Sequence, residues 1–156
     1  MGVAGSGKST LAAAVAEELG RPWLEGDGFH SDASRNKMAR GEALTDQDRA
    51  SWLARLGEQL QQRPSVLLTC SALKRSYRDQ LRQASPGLRF AFLDIDKSEA
   101  GRRVSTRASH FFAASLIDSQ FETLEPPLDE PGVLRLDALR PLAELQAAVC
   151  DWLARP

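Results

Sequence analysis

The chain has 156 residues, with 20 basic and 21 acidic side chains and a formal net charge of -1 at pH 7. This length suits one domain, and the balanced charge excludes a protein drawn to nucleic acid or to an anionic membrane by its overall field. No apolar run approaches the ~20 residues of a membrane-spanning helix, and the two cysteines predict neither a disulfide framework nor a metal centre. We therefore expect a cytoplasmic protein with reduced thiols.

The chain begins with a phosphate-binding pattern. Residues 2–9 read GVAGSGKS and match G-x-x-x-x-G-K-[ST]. In such a loop the glycines allow successive N–H groups to point at phosphates, so we expect Lys8 to reach the terminal phosphates and the Ser9 hydroxyl to ligate Mg²⁺. The pattern predicts a nucleotide-binding protein of the P-loop class.

A buried strand normally leads into this kind of loop, but only Met1 precedes Gly2. The sheet is therefore expected to lack its central strand. About five missing apolar side chains, each worth about 1.5–3 kcal/mol when buried, would rival the whole stability of a typical domain. The hypothesis is that the native protein carries roughly ten further residues upstream, including that strand.

Helices are predicted in three places along the chain. Residues 8–19 carry leucine and valine on one face and end before Gly20, a typical C-terminal cap. Residues 45–63 begin with Thr45 and Asp48 spaced as a capping box and continue with an apolar stripe. The last helix starts at Pro141, which is placed at the first helical position.

Strands are predicted between these helices. The short segment 22–24 is extended, the runs 65–70 and 88–95 are the strongest strands, and 133–136 is a fourth. Apolar strands that alternate with amphipathic helices are typical of an α/β fold with a mostly parallel sheet.

An acidic, glycine-rich segment follows the first predicted strand. Residues 25–30 read EGDGFH. Because ligands of open α/β sheets bind beyond the carboxyl ends of the strands, Asp27 is a candidate to accept or orient the proton of an attacking hydroxyl. The alternative is an aspartate that simply forms a turn between glycines. His30, taken alone, is more typical of a loop or capping position than of a ligand.

Two pairs of cations follow further along the chain. Lys74 and Arg78 lie four apart after the strand 65–70, so they are expected to share a helical face and to hold a carboxylate of the acceptor. Arg103 and Arg107 are also four apart and precede small residues and an aromatic pair, which suits a lid that neutralises the transferring phosphoryl group. A solvated basic surface is the alternative for both pairs.

These segments together resemble the gluconokinases, small P-loop sugar-acid kinases related in fold to shikimate and adenylate kinases. The resemblance runs through GVAGSGKST, EGDGFH, KMARGEALTDQDRASWL, CSALKRSYRDQLR, RRVSTRASHFF and SQFETLEPP in that order. It implies one three-layer α/β/α domain over residues 1–156, with an acceptor-binding region at about 27–60 and a lid at about 103–120. It also implies transfer of the γ-phosphoryl group of ATP to the 6-hydroxyl of D-gluconate, with Mg²⁺ as cofactor, and a homodimer.

The resemblance assigns roles to individual residues as follows. The nucleotide phosphates and Mg²⁺ would be held by Gly2, Val3, Ala4, Gly5, Ser6, Gly7, Lys8, Ser9 and Thr10, with Asp137 near the adenine. The acceptor pocket would contain Asp27, His30, Lys37, Arg49, Lys74, Arg78 and Gln120, and the lid would contribute Arg103, Arg107 and His110. Lys8, Asp27, Arg103 and Arg107 are the expected catalytic residues.

Other functions stay open at the level of sequence. The nearest is a kinase of the same fold that phosphorylates shikimate, a nucleoside or a nucleotide, since paired cations would also bind a phosphate. A nucleotide-binding switch without an acceptor belongs to a different class, although no guanine-reading Asn-Lys-x-Asp is present. A truncated and inactive kinase is the third.

Overall fold

A computed structural model describes residues 1–106 and 114–155 of the chain. The helices are α1 (Lys8–Leu19), α2 (Asp32–Ala39), α3 (Asp46–Gln62), α4 (Arg75–Ala84), α5 (Lys97–Thr106), α6 (Ala114–Thr123) and α7 (Leu142–Ala154). The strands are β1 (Trp23–Glu25), β2 (Leu67–Thr69), β3 (Phe90–Asp94) and β4 (Val133–Asp137), and a 3₁₀ turn covers Gly26–Phe29. Within the described residues, no helix is long and apolar enough to cross a membrane.

The strands form two parallel pairs. β1 pairs with β2, with Leu24 opposite Leu68, and β3 pairs with β4, with Phe92 opposite Arg135. Because the two strands of each pair are parallel, their carboxyl ends lie at the same end of the pair, where the loops that follow them can form a site. The predicted α/β class with a parallel sheet is confirmed.

Met1 and Gly2 lie between the two strand pairs. Met1 N donates a hydrogen bond to Ala91 O at 2.6 Å, and Leu93 N donates to Met1 O at 3.0 Å. On the other side, Gly2 N donates to Ser71 O at 3.3 Å. Met1 and Gly2 thus lie at the central position of the sheet, where the sequence predicts that a strand is missing. Met1 also lines a cavity of about 140 Å³, together with mainly apolar side chains such as Leu11 and Leu67.

The core has two parts, one on each face of the sheet. On one face, Leu11 and Val15 of α1 pack with Val149 of α7 and with buried side chains of β3 and β4. On the other, Trp52 and Leu56 of α3 pack against α4 and the end of β2. Burial of apolar surface on both faces stabilises the layered arrangement and accounts for the charge-poor strands.

The local signals in the sequence are reproduced closely. α1 has the predicted bounds, and Gly20 caps it in the left-handed region with φ 59°. Thr45 and Asp48 form the predicted capping box at the start of α3. Pro141 differs from the prediction, because it is the N-cap of α7 with an extended ψ of 142° rather than the first helical residue.

Candidate active site

The phosphate loop runs from Gly2 to the first turn of α1. Gly5 and Gly7 have φ values of 79° and 95°, in the left-handed region that favours glycine. Gly7 is the N-cap of α1 without a side-chain cap, and the first turn carries no acidic residue. The positive end of the helix dipole is therefore open to an anion, as a polyphosphate requires. Ser6 Oγ is buried in the same loop and has no hydrogen-bond partner among residues 1–106 and 114–155, so it is available to bind a phosphate oxygen.

Ser9 lies beside an acidic residue at the end of β1. Its hydroxyl donates a hydrogen bond to the carboxylate of Glu25, which also accepts from the Thr69 hydroxyl. A hydroxyl and a carboxylate next to a phosphate site are the oxygen donors that Mg²⁺ prefers, with phosphates completing its coordination. No cluster of three or more histidine, cysteine or acidic ligands occurs in the described parts of the chain. The residues present thus fit a nucleotide-bound Mg²⁺ rather than a metal in a protein cage.

Asp27 lies on the short 3₁₀ turn after β1. The turn begins at Gly26, whose N–H donates to the Thr69 hydroxyl at 3.3 Å. A Cβ on Gly26 would lie only 2.0 Å from Thr69 O, so the turn packs directly on the backbone of β2. Asp27 itself is exposed and lines a cavity with Lys8. The two predicted catalytic groups are therefore brought together.

That cavity has a volume of about 240 Å³. It is lined by Ala4, Lys8, Asp27, His30, Arg35, Met38, Ala43, Leu44, Arg49, Ser71, Leu116, Ser119 and Gln120. Three of these side chains are cationic and one is anionic, which suits a small anionic molecule with several hydroxyl groups. We call it the acceptor cavity.

His30 is buried in the wall of the acceptor cavity, with 6% of its surface exposed. Its ring stacks on Trp52 with centroids 4.5 Å apart, and its Nδ1 has no hydrogen-bond partner in the part of the chain that the structure describes. Burial, followed by the positive charges of Arg49 and Arg35, lowers the pKa of His30 from 6.5 to about 4. A neutral imidazole therefore faces the cavity at neutral pH and can exchange a hydrogen bond with a hydroxyl.

Arg49 and Gln120 also line the acceptor cavity. Arg49 is 8% exposed, donates to Leu44 O and lies over the Tyr77 ring with 5.8 Å to the centroid. Gln120, on α6, accepts a hydrogen bond from the Ala4 amide at 2.6 Å. This hydrogen bond joins the phosphate loop to a helix that lines the acceptor cavity.

The structure contradicts the expectation for Arg78. This side chain is fully buried, and its guanidinium group binds Glu130 through Nε and Nη2, the closest contact being 2.5 Å. Its other donors reach the carbonyls of Ala72, Leu73 and Glu125 at 2.8–3.0 Å. All five N–H donors are used inside the protein, so none remains for an acceptor. Arg78 does not share an exposed face with Lys74, because its position on α4 faces inward.

Lys37 and Lys74 are outside the acceptor cavity. Lys37 pairs with Asp48, and Lys74 with Asp46, each at 2.9 Å. The contact with Lys37, then those with Thr45, lower the pKa of Asp48 to about 2. The two lysines therefore hold the first turn of α3, and their predicted contact with an acceptor has no support from this geometry.

The remaining predicted residues lie toward the opposite pair of strands. Arg103 binds Glu99 at 2.8 Å and donates to Ala138 O at 3.1 Å, which ties α5 to the segment after β4. Asp137, at the end of β4, is exposed and caps the Leu139 amide at 2.9 Å. Asp137 as an adenine contact stays a prediction. Arg107 and His110 lie outside the described residues, and so does the central part of the predicted lid.

Several residues of the site were missed by sequence reasoning. Arg35, Ser71 and Ser119 line the acceptor cavity, and Glu25 accepts from Ser9. Glu25 is the last residue of β1 and Ser71 lies two residues after β2, so their position at the carboxyl ends of strands is the signal that could have identified them. Arg35 and Ser119 sit on helices whose approach to the cavity is a tertiary feature without a local pattern.

Comparisons with known proteins agree with this site. Residues 1–127 match the family described as AAA domain. The gluconokinase of Gluconobacter oxydans is 46% identical over 87% of this chain and 79% of its own, and the thermoresistant gluconokinase of Escherichia coli is 42% identical over 99% and 91%. A crystal structure of a gluconokinase from Sinorhizobium meliloti superposes with a TM-score of 0.91 at 47% identity, over 99% of this chain and 89% of that one. With its P-loop beside a cationic acceptor cavity, the chain therefore belongs to the gluconokinase family of phosphotransferases.

Proposed function

We propose that this protein transfers the γ-phosphoryl group of ATP to the 6-hydroxyl of D-gluconate and yields 6-phospho-D-gluconate and ADP. The single observation that carries the proposal is the acceptor cavity, in which Asp27, Arg35 and Arg49 lie beside Lys8 of the phosphate loop. The named relatives are gluconokinases, which favours gluconate over shikimate, nucleosides or nucleotides as the acceptor.

The side chains divide the work between binding and chemistry. Arg35 and Arg49 are placed to pair with the carboxylate of a sugar acid, and neutral His30 can bond one of its hydroxyls. Asp27 is exposed in the same cavity and can accept the proton of the attacking hydroxyl or orient that hydroxyl. Lys8 is positioned to stabilise negative charge on the transferring group.

Mg²⁺ would be held by Ser9, with Glu25 beside it, and would neutralise charge on the phosphate oxygens. The loop amides would align the triphosphate, and α6 would fix the loop against the cavity through Gln120. Most of the catalytic effect then comes from alignment and charge, and alignment alone can lower a barrier by about 7–11 kcal/mol.

A homodimer is also part of the proposal. Sedimentation equilibrium of the purified protein tests it.

Measurement of ADP release tests the function directly. Purified protein with ATP and Mg²⁺ is assayed against D-gluconate, other sugar acids, shikimate and nucleosides, with an acceptor-free reaction as the control. We expect gluconate to give the highest kcat/KM, with the product phosphorylated at the 6-position. A higher kcat/KM for a nucleoside or shikimate would replace the proposed acceptor. ATP binding without acceptor-dependent ADP release would overturn the enzymatic function.

A further inference from the structure

The turn that carries Asp27 is fixed by hydrogen bonds to every one of its carbonyl groups. The donors come from α2, from α3 and from the residue that follows the turn. They are Trp52 to Gly26 O at 2.8 Å, His30 N to Asp27 O at 3.4 Å, Arg35 to Gly28 O at 2.8 Å, and Arg55 to Phe29 O at 3.2 Å. A turn bound in this way can present a carboxylate in one place without any bond to the carboxylate itself.

Trp52 differs from the other donors because it contacts two parts of the site. Its Nε1–H binds the carbonyl next to Asp27, and the face of the same indole stacks on His30 with an interplanar angle of 12°. The indole is 1% exposed, on the side of α3 that packs against the turn. Trp52 does not line the acceptor cavity, whereas Asp27 and His30 both do.

Resting on the proposed function, we propose that Trp52 is a positioning residue for phosphoryl transfer, which sets the separation of Asp27 and His30 by holding Gly26 through Nε1 and His30 through its ring face. The indole is rigid and buried among apolar neighbours, so it transmits the fixed position of α3 to both groups. Its two contacts have separable effects. The Nε1 bond governs Asp27 and therefore turnover, whereas the ring face governs the orientation and environment of His30.

The environment of His30 gives an independent readout. The charged groups that line the cavity with it are Asp27 on its own segment, Lys8 at the phosphate loop, Arg35 on α2 and Arg49 on α3. The indole covers one face of the imidazole and excludes water from it. Removal of that cover is expected to bring the titration of His30 back toward that of an exposed histidine, near pH 6.5.

Two variants separate the contacts. Trp52→Phe keeps an aromatic face against His30 but lacks Nε1–H, so kcat for gluconate should fall about two- to tenfold with KM nearly unchanged, the effect of one lost hydrogen bond. Trp52→Leu also lacks the aromatic face, so kcat should fall further and KM for gluconate should rise. Leu56→Ala is the matched control, because Leu56 is fully buried one turn further along α3. It should lower stability and leave kcat per folded molecule unchanged.

Proton NMR reads His30 without an activity assay. The chain contains two histidines, His30 and His110, and a spectrum of His30→Gln assigns their resonances. We expect the midpoint of the His30 titration to stay near pH 4 in wild type and in Trp52→Phe, and to rise by one unit or more in Trp52→Leu. Trp52→Phe with wild-type kcat, or Trp52→Leu with an unchanged His30 midpoint, overturns the proposal.

The kinetic and spectroscopic results also separate this proposal from the proposed function. If the wild-type protein phosphorylates a different acceptor, the proposed substrate is wrong. The test of Trp52 then continues with that acceptor: kcat of the same variants and the NMR titration of His30 still show whether Trp52 positions the site. If Trp52→Leu does not fold, Trp52→Phe decides the proposal, because it retains an aromatic ring in the core. A fall in kcat of the same size in Leu56→Ala would reduce the role of Trp52 to general stability and overturn the proposal.

Discussion

The amide of Ala4 in the phosphate loop donates a hydrogen bond of 2.6 Å to the side chain of Gln120 on α6. The two residues are 116 positions apart in the sequence, and both line the acceptor cavity. One end of the chain is thereby fixed to a helix that forms the far side of the site. The bond joins the loop between Gly2 and α1 to helix α6.

Gln120→Ala should weaken the binding of gluconate. Loss of one hydrogen bond leaves the loop less fixed against the cavity and should raise KM for gluconate about two- to tenfold. Steady-state kinetics measure the change. Thr123→Ala is the control, since the Thr123 hydroxyl donates a hydrogen bond within α6, to Ser119 O at 2.7 Å. An equal rise in KM in both variants would assign the effect to the helix rather than to the bond.

Asp27→Asn should lower kcat by a factor of about 10² or more while the affinity for ATP stays close to that of wild type, because a general base typically contributes about 10²–10⁴-fold. Titration calorimetry with ATP and an initial-rate assay with gluconate separate the two quantities. Asp32→Asn, an exposed aspartate in the first turn of α2, is the control. Near-normal turnover in Asp27→Asn would remove Asp27 from catalysis.

Arg78→Ala should destabilise the protein rather than change its acceptor. The substitution leaves the buried carboxylate of Glu130 with one cation, Arg82 at 2.8 Å, and removing one partner of a buried pair typically costs about 3–5 kcal/mol. Urea unfolding measures the loss. Arg75→Ala, an exposed neighbour on α4, should have little effect. A stable Arg78→Ala protein with a raised KM for gluconate would return Arg78 to the substrate-binding residues.

The stability of the protein should depend on pH through His30. Its pKa is lowered to about 4 in the folded protein, so between pH 4 and 6.5 the unfolded chain binds more protons than the folded chain. The free energy of unfolding should therefore rise with pH across this range and lose that contribution as pH falls. Urea unfolding from pH 4.5 to 7 measures the slope. His30→Gln should show a shallower slope, and an identical slope would contradict the assignment.

Local chemistry explains why so much of the fold could be predicted. The Gly20 cap, the Thr45 capping box and the phosphate loop are each defined by neighbours in sequence, so their geometry follows from short-range interactions. Arg78 shows the opposite case. Its spacing from Lys74 is typical of a shared exposed face. Its partner in the structure is Glu130, which is 52 residues away, so no pattern in the neighbouring sequence predicts this pair.

The acceptor cavity was predicted only in part for the same reason. Asp27 follows a strand, and the rule for parallel sheets locates it correctly. Lys37 instead forms an ion pair with Asp48, which lies 11 residues away on the next helix. Trp52 belongs to the apolar stripe of the helix predicted at residues 45–63, which indicates a core position, and only the structure shows the bond from its indole to Gly26.

The close packing of Gly26 on Thr69 limits how a new substrate could be engineered into this enzyme. Any side chain at position 26 would push the turn away from β2 and displace Asp27, so position 26 tolerates little redesign. Met38 on α2 and Leu116 on α6 also line the cavity, and neither belongs to the turn that carries Asp27. Libraries that aim at longer or shorter sugar acids should therefore vary Met38 and Leu116 and keep Gly26.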